Sequence, residues 1–252
     1  MIRKSIVLIV GESWTVHSIH QKGFDSFATT EYSEGVKWLR MALETHGWQL
    51  DYQPAHLAAR QFPMTATALA KYDCVILSDV GANTLLIHPD TFTRSQTVPN
   101  RLEAVRDYVA NGGGLIMVGG YLSFQGIDAK ARYHDTPIEE ALPVNIHFGD
   151  DRRETPQGTT PRVVIPDHPI VAGLPSQWPD LLGYNRIEAK VDGTTVATVG
   201  VDPLIVADSF HNGRAVAFAS DCAPHWAPTA FIEWSGYARL WSQMVDWASG
   251  RH

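Results

Sequence analysis

Four apolar runs constrain the fold more than anything else in this chain. They are Ser5–Val10 (SIVLIV), Tyr72–Ser78 (YDCVILS), Leu115–Val118 (LIMV) and Arg214–Ala219 (RAVAFA). None alternates apolar with polar residues. A strand with one wet face shows a period of two, so runs without it read as strands buried on both faces, as in a parallel sheet sandwiched by helices. Amphipathic segments lie between them. Glu34–His46 puts Val36, Leu39 and Leu43 on one side, with Gly47 as a C-cap. Val98–Asn111 does the same with Leu102, Val105 and Val109, and Gly112-Gly113-Gly114 closes it. Trp48–Tyr52 reads as a short second strand. The order β-α-β-(α)-β-α-β predicts a doubly wound, mostly parallel α/β sheet.

After about Pro143 the pattern changes. Residues 143–200 are rich in Pro, Gly and Thr, with β-branched runs at Arg162–Ile165, Ile187–Lys190 and Thr195–Val199. These predict antiparallel strands or a decorated edge, before Arg214–Ala219 returns to the core. Glu233–Ser249 closes the chain as a helix, and its stripe of Tyr237, Leu240, Trp241, Met244, Val245 and Ala248 reads as core packing. Residues 1–252 form one expected domain.

Composition excludes several functions. The formal net charge is −7 and no run of Lys or Arg occurs, which disfavours nucleic acid and anionic membrane surfaces. SIVLIVG is too short to span a bilayer, and no A-x-A-like site follows it. Cys74 and Cys222 lie in no C-x-x-C pair, so neither a zinc knuckle nor a disulfide framework is expected. A cytoplasmic location is the economical reading. No G-x-G-x-x-G opens a helix after the first strand, and no G-x-x-x-x-G-K-[ST] occurs. No cofactor and no metal are assigned. A homo-oligomer is left open.

Open α/β sheets bind ligands outside the carboxyl ends of their strands. Glu12, Ser13 and Trp14 follow the first run, Asp79 the third strand, Gly119, Gly120, Tyr121 and Ser123 the next, and Ser220, Asp221, Cys222, His225 and Trp226 the last. Tyr121, Ser123, Asp221, His225 and Glu12 are the catalytic candidates. Ser13, Trp14, Asp79, Gly120 and Trp226 are the candidates for ligand binding, with a small molecule as the partner. Pro224 and Pro228 stiffen the loop around His225, and a histidine beside a carboxylate suits acid–base work. Cys222 is a poor nucleophile, because Asp221 opposes a thiolate. Cys74 reads as packing. Gly11–Thr30 is expected to be an irregular loop and a partial lid. Its His17 and His20 have a spacing that ligates metals on a helix, but they read better as part of a solvated cover.

Several stretches carry a resemblance. GGYLSFQ at 119–125 lines up with the G-x-C-x-G-x-Q elbow of class I glutamine amidotransferases. GESW at 11–14, HQKGFD at 20–25, HPIVAGLP at 168–175 and SDCAPHW at 220–226 extend it over nearly the whole chain. The chain resembles the bacterial glutamine-amidotransferase-like proteins related to the trehalose-utilisation-like branch. The resemblance implies a flavodoxin-like α/β fold, in which the β-branched runs of residues 143–200 read as a β-rich insertion. It also implies that Tyr121 stands where that superfamily keeps its nucleophilic cysteine, at a strand-to-helix turn, and a strained backbone at Tyr121 is expected to go with it. Ser220-Asp221 stand where its late H-x-E pair falls. Tyrosine cannot replace a thiolate in amide attack, so no glutaminase activity is expected. Two readings follow: an enzyme acting on a small polar substrate, such as a hydrolase or isomerase, or a non-catalytic module binding carbohydrate or another small ligand.

Overall fold

The computed structural model describes residues 5–251. The strands are β1 (Ile6–Gly11), β2 (Ser13–Lys22), β3 (Asp25–Glu34), β4 (Gln49–Gln53), β5 (Cys74–Ser78), β6 (Gly114–Val118), β7 (Val144–Ile146), β8 (Arg152–Thr159), β9 (Pro161–Val163), β10 (Leu181–Asn185), β11 (Ile187–Ala189), β12 (Thr194–Val199), β13 (Asp202–Phe210) and β14 (Gly213–Phe218). The helices are α1 (Lys37–Thr45), α2 (Ala55–Gln61), α3 (Ala66–Leu69), α4 (Ala82–Leu86), α5 (Pro89–Arg94), α6 (Arg101–Ala110), α7 (Pro137–Ala141), α8 (Thr229–Ile232) and α9 (Tyr237–Ala248).

Eight strands form the central sheet in the order β4-β1-β5-β6-β14-β13-β12-β9. The first five run parallel to one another, and the last three continue antiparallel. The apolar runs explain the parallel half: every residue of β5 and β6 is buried. Helices α1 and α9 pack together on one face, and α6 with α2–α4 and α7 covers the other. Small antiparallel pairs, β8–β10 and β7–β11, decorate the antiparallel side.

One buried cation ties the helical layer together. Asn100 caps α6 through the Leu102 amide, and Arg101 follows with its side chain fully buried. The guanidinium donates to the carbonyls of Ala58 and Ala59 at 3.2 and 3.1 Å and of Thr84 at 3.2 Å. The Ala59 carbonyl, whose helical partner would be the amide that Pro63 lacks, is thereby satisfied, and the Ala58 carbonyl takes a second donor beside the Phe62 amide.

The structure departs from the sequence reading in three places. Residues 13–34 are not an irregular loop but a β2–β3 hairpin, closed by Gly23-Phe24 with Gly23 at φ +63. Neither face of that ribbon is buried, so its sequence shows no apolar–polar alternation to read. α1 consequently starts at Lys37 rather than Glu34. No α-helix directly follows Tyr121: up to α7 the chain passes through turns and a single 3-10 turn at Ile127–Ala129. The polar strand β8, the five-residue β10 and the short helices α2–α5 lack the long periods from which elements are read.

Candidate functional site

Gly11 ends β1 with φ +98, and a Cβ there would lie 2.0 Å from the Ser78 carbonyl. Glu12 follows at φ 48 and Asp79, just after β5, at φ 46. Non-glycine residues in the left-handed region carry strain that commonly marks functional positions. The twist sends the Glu12 carboxylate inward, where it accepts from Ser78 Oγ at 2.5 Å and from Cys222 Sγ at 3.5 Å. Asp79 accepts from the Leu122 amide at 2.7 Å.

The turn after β6 is packed against the end of β14. A Cβ on Gly119 would meet the Ala219 carbonyl at 2.3 Å. The Gly120 amide donates to Asn185 Oδ1 at 2.9 Å, and Asn185 Nδ2 donates to Asp151 Oδ1 at 2.8 Å. Asp151 also accepts from the amides of Gln125 at 2.8 Å and Gly126 at 2.9 Å. Positive φ falls on Gly120, which as glycine takes it without strain, and on Phe124, so the strain expected at Tyr121 is absent there and appears three residues on. Asn185 and Asp151 escaped the sequence reading because they sit in the β-rich region, far along the chain from the turn they hold.

Beyond β14, Asp221 accepts from the Ala223 amide at 3.0 Å and pairs with His225 Nδ1 at 3.4 Å. The His225 ring stacks on Trp226, 5.2 Å between centroids, and meets the Tyr121 ring edge-on at 4.4 Å. Glu154, also missed from sequence, joins these groups: one oxygen accepts from the Tyr121 hydroxyl at 3.1 Å, the other from Trp226 Nε1 at 3.0 Å.

These strand ends enclose a cavity of about 520 Å³. Glu12, Asp79, Asp221 and His225 supply its polar groups, and Trp14, Tyr121, Leu122, Ile127 and Pro224 its apolar walls. Four sequence candidates lie elsewhere. Ser13 accepts from the Ala55 amide at the start of α2. Ser123 is buried and accepts from the Asp79 amide. Gly120 is bound to Asn185, and Trp226 is buried beneath His225. The hairpin contributes Trp14 to the wall, while its outer length leaves the cavity behind. His17 and His20 take alternate strand positions and so face opposite sides of the ribbon; His17 contacts Thr30 and His20 stacks on Phe27. Another cavity, about 470 Å³, lies against β9 near Pro161 and Trp178, with Arg162 as its one charged lining group.

The site favours protons. Burial raises the Glu12 carboxyl well above its ordinary range, and the charges of Asp221 and Asp79 add to this. Burial pushes Asp79 up to about 6, against the Leu122 amide bond that opposes it. The contact with Asp221 raises His225, with burial working the other way. Burial, then Glu12, push the Cys222 thiol far up, so it is no nucleophile at neutral pH. Glu12, Asp221 and Cys222 present ligand atoms within 4.8 Å of one another. Two of these three groups would have to lose raised protons to hold a cation.

A profile of the family described as Putative glutamine amidotransferase, GATase1-like, matches residues 6–250. The chain belongs to this GATase1-like family. Two cytoplasmic proteins of Salmonella typhimurium, one from strain LT2, have structures similar to this one. Each is 44% identical with a TM-score of 0.93 over 96% of this chain, covering 98% and 99% of their own lengths. A ThuA-like protein of Parabacteroides merdae shares the fold at 13% identity, with a TM-score of 0.58 over 98% of this chain and 90% of its own. No curated protein matches the sequence. No helix among the described residues is long and apolar enough to cross a membrane.

Proposed function

We propose that this GATase1-like protein binds a small polar molecule at the carboxyl edge of the sheet and moves protons on it, without amidotransferase chemistry. The observation that carries this reading is the convergence of Glu12, Asp79, Asp221 and His225, from three different strand ends, on one largely apolar-walled cavity. Glu12, held protonated by burial, is the general acid. His225, oriented by Asp221, takes a proton from one position of the ligand and returns it at the next, while Glu12 lends its proton to the ligand's polar group and recovers it as that group reverts. Asp221 lies between them, near Glu12 on one side and His225 on the other. Trp14 and Tyr121 supply faces on which a sugar-like or amide-bearing ligand can rest.

Amide attack is disfavoured by the same residues. Tyr121 stands where the superfamily's cysteine is expected, and its hydroxyl is bonded to Glu154. The elbow amides of Gly120, Leu122, Gln125 and Gly126 are all engaged by side chains, so they are not free to stabilise an oxyanion. An isomerisation, which needs an acid and a base but no covalent nucleophile, fits best.

The test is ligand-observed NMR with a panel of small polyols, sugars, amides and amines, on the native protein and on Glu12→Gln and His225→Gln. A compound that binds the native protein, and is turned over only when both side chains are present, supports the reading. A compound bound equally by all three and never altered points to a plain binding module. Ammonia released from glutamine and lost in Cys222→Ser would show that the nucleophile lies elsewhere.

A further inference from the structure

The β2–β3 hairpin has no part in the proton chemistry beyond Trp14 at its base, and its build points to another role. Only its root is anchored: Ser13 Oγ holds the Ala55 amide, and the Tyr32 ring meets His56 edge-on. Beyond that, two strands of ten residues each stand in solvent, and every residue of β3 is exposed. Val16, Ile19, Phe24, Phe27 and Tyr32 are exposed on it, with Phe24 and Ile19 at 107% and 79%. A lone two-stranded ribbon is marginal in water and needs further strands or a packed face. Its open edges are also templates for pairing.

The charges identify the partner. β2 carries His17, His20 and Lys22 and no acid, whereas β3 carries Asp25, Glu31 and Glu34 and no base. Pairing β3 with a second β3 sets acid against acid, and pairing β2 with a second β2 sets base against base. The edge of β2 against the edge of β3 from another copy sets Lys22 and two imidazoles against three carboxylates, with no acid facing acid. Two ribbons side by side in the same direction bring those edges together antiparallel, so the ladder continues unbroken. Ten-residue strands paired this way supply about ten backbone hydrogen bonds per junction, the number of a standard protein interface. We propose that the hairpin is an assembly arm that joins copies of this chain, β3 of one to β2 of the next, in a ring of three or more. Such head-to-tail contacts close by rotation rather than as a two-fold pair.

The ladder register supplies the test. The Gly35 amide donates to the Glu12 carbonyl, and pairing continues without a shift to Lys22↔Asp25. The alternation of an antiparallel ladder then places the bonded pairs at even β2 positions, so the amides of Ile19 and Ala28 point outward. Proline at either position removes an outward donor while sparing the bonds within the ribbon. Sedimentation velocity of the full chain from about 1 to 50 μM reads the mass. The expected result is a ring of three or more copies for the native protein, and folded monomers with cooperative unfolding for Ala28→Pro and Ile19→Pro. Ile19→Asp with Phe27→Asp checks the result without touching the backbone, and should also give monomers. A native monomer across this range overturns the proposal, as does a two-copy assembly or an assembly unchanged by these variants.

Discussion

The turn after β6 and the segment after β14 reach the same cavity by opposite means. At the first, the amides of Gly120, Leu122, Gln125 and Gly126 end on Asn185, Asp79 or Asp151. At the second, Asp221 and His225 face the cavity, and His225 has 40% of its side chain exposed. The first region stores its polar groups in permanent bonds and so sets shape. The second leaves its titratable groups addressable, at the expense of rigidity. A polar strand end is thus informative about chemistry only once its partners are counted: Ser123 and His225 look alike in sequence and differ entirely in what remains free.

The largest effect should come from the rigid side. Asp151→Ala strips the acceptor from two buried amides and from Asn185. Each unsatisfied buried donor costs about 1–3 kcal/mol, so a loss of about 4 kcal/mol is expected. For a domain of this size that lowers the melting temperature by about 10 °C. Asp151→Asn keeps part of the acceptor capacity and should lose about half as much. Calorimetry that found Asp151→Ala as stable as the native protein would break the contrast between the two regions. Asn185→Leu should follow at about 2 kcal/mol, since it frees the Gly120 amide and one oxygen of Asp151.

The sequence reading served the two regions unequally, for a physical reason. β1, β5, β6 and β14 are legible because burial on both faces leaves only apolar residues. The residues that follow them then fall on one edge by topology alone. Glu12, Trp14, Asp79, Tyr121, Asp221 and His225 were placed around the cavity by that argument. Asp151 just before β8, Glu154 in the polar β8 and Asn185 at the end of β10 have partners 25 or more residues away, as in the Asp151 bond to the Gly126 amide. Their side chains show no period, and no local rule relates them to the elbow. The hairpin was missed because an unburied ribbon has no reason to alternate.

A pH experiment sharpens the comparison at Asp79, which holds the Leu122 amide of the rigid turn and also lines the cavity. Asp79 has its carboxyl pushed from 3.8 up to about 6. Below 3.8 the folded and unfolded chains are both protonated, and this group costs nothing. Between 3.8 and about 6 the unfolded chain releases the proton while the folded one keeps it, so stability falls as pH rises, and above about 6 the loss levels off. Glu12, raised in the same direction, adds to the decline. Asp79→Asn keeps the acceptor for the Leu122 amide and removes the titration. Its urea midpoint relative to the native protein should therefore rise from pH 4 to pH 7. Midpoints that run parallel across this range would mean that the carboxyl is not held back by its surroundings.

The smallest stability effect is expected for His225→Gln, and it decides the most about function. The ring lies over Trp226 and beside Tyr121 but is part-exposed, and its charge partner Asp221 keeps the Ala223 amide whatever occupies position 225. Removing a half-exposed side chain of this kind changes stability by about 0.5 kcal/mol or less. The sign of any pH dependence is fixed: contact with Asp221 raises the histidine, so its stabilising contribution is full below its ordinary value of 6.5 and fades as pH climbs through the raised one. His225→Gln should thus match the native melting temperature at pH 8 and fall slightly below it at pH 5.5. Ligand affinity or turnover, by contrast, should drop at least tenfold per folded molecule, because the cavity loses the group that exchanges protons with the ligand. If the substitution lowers the melting temperature at every pH and leaves affinity per folded molecule unchanged, His225 is a strut of the Pro224–Pro228 loop, and the acid–base reading must be rebuilt on Glu12 and Asp79 alone.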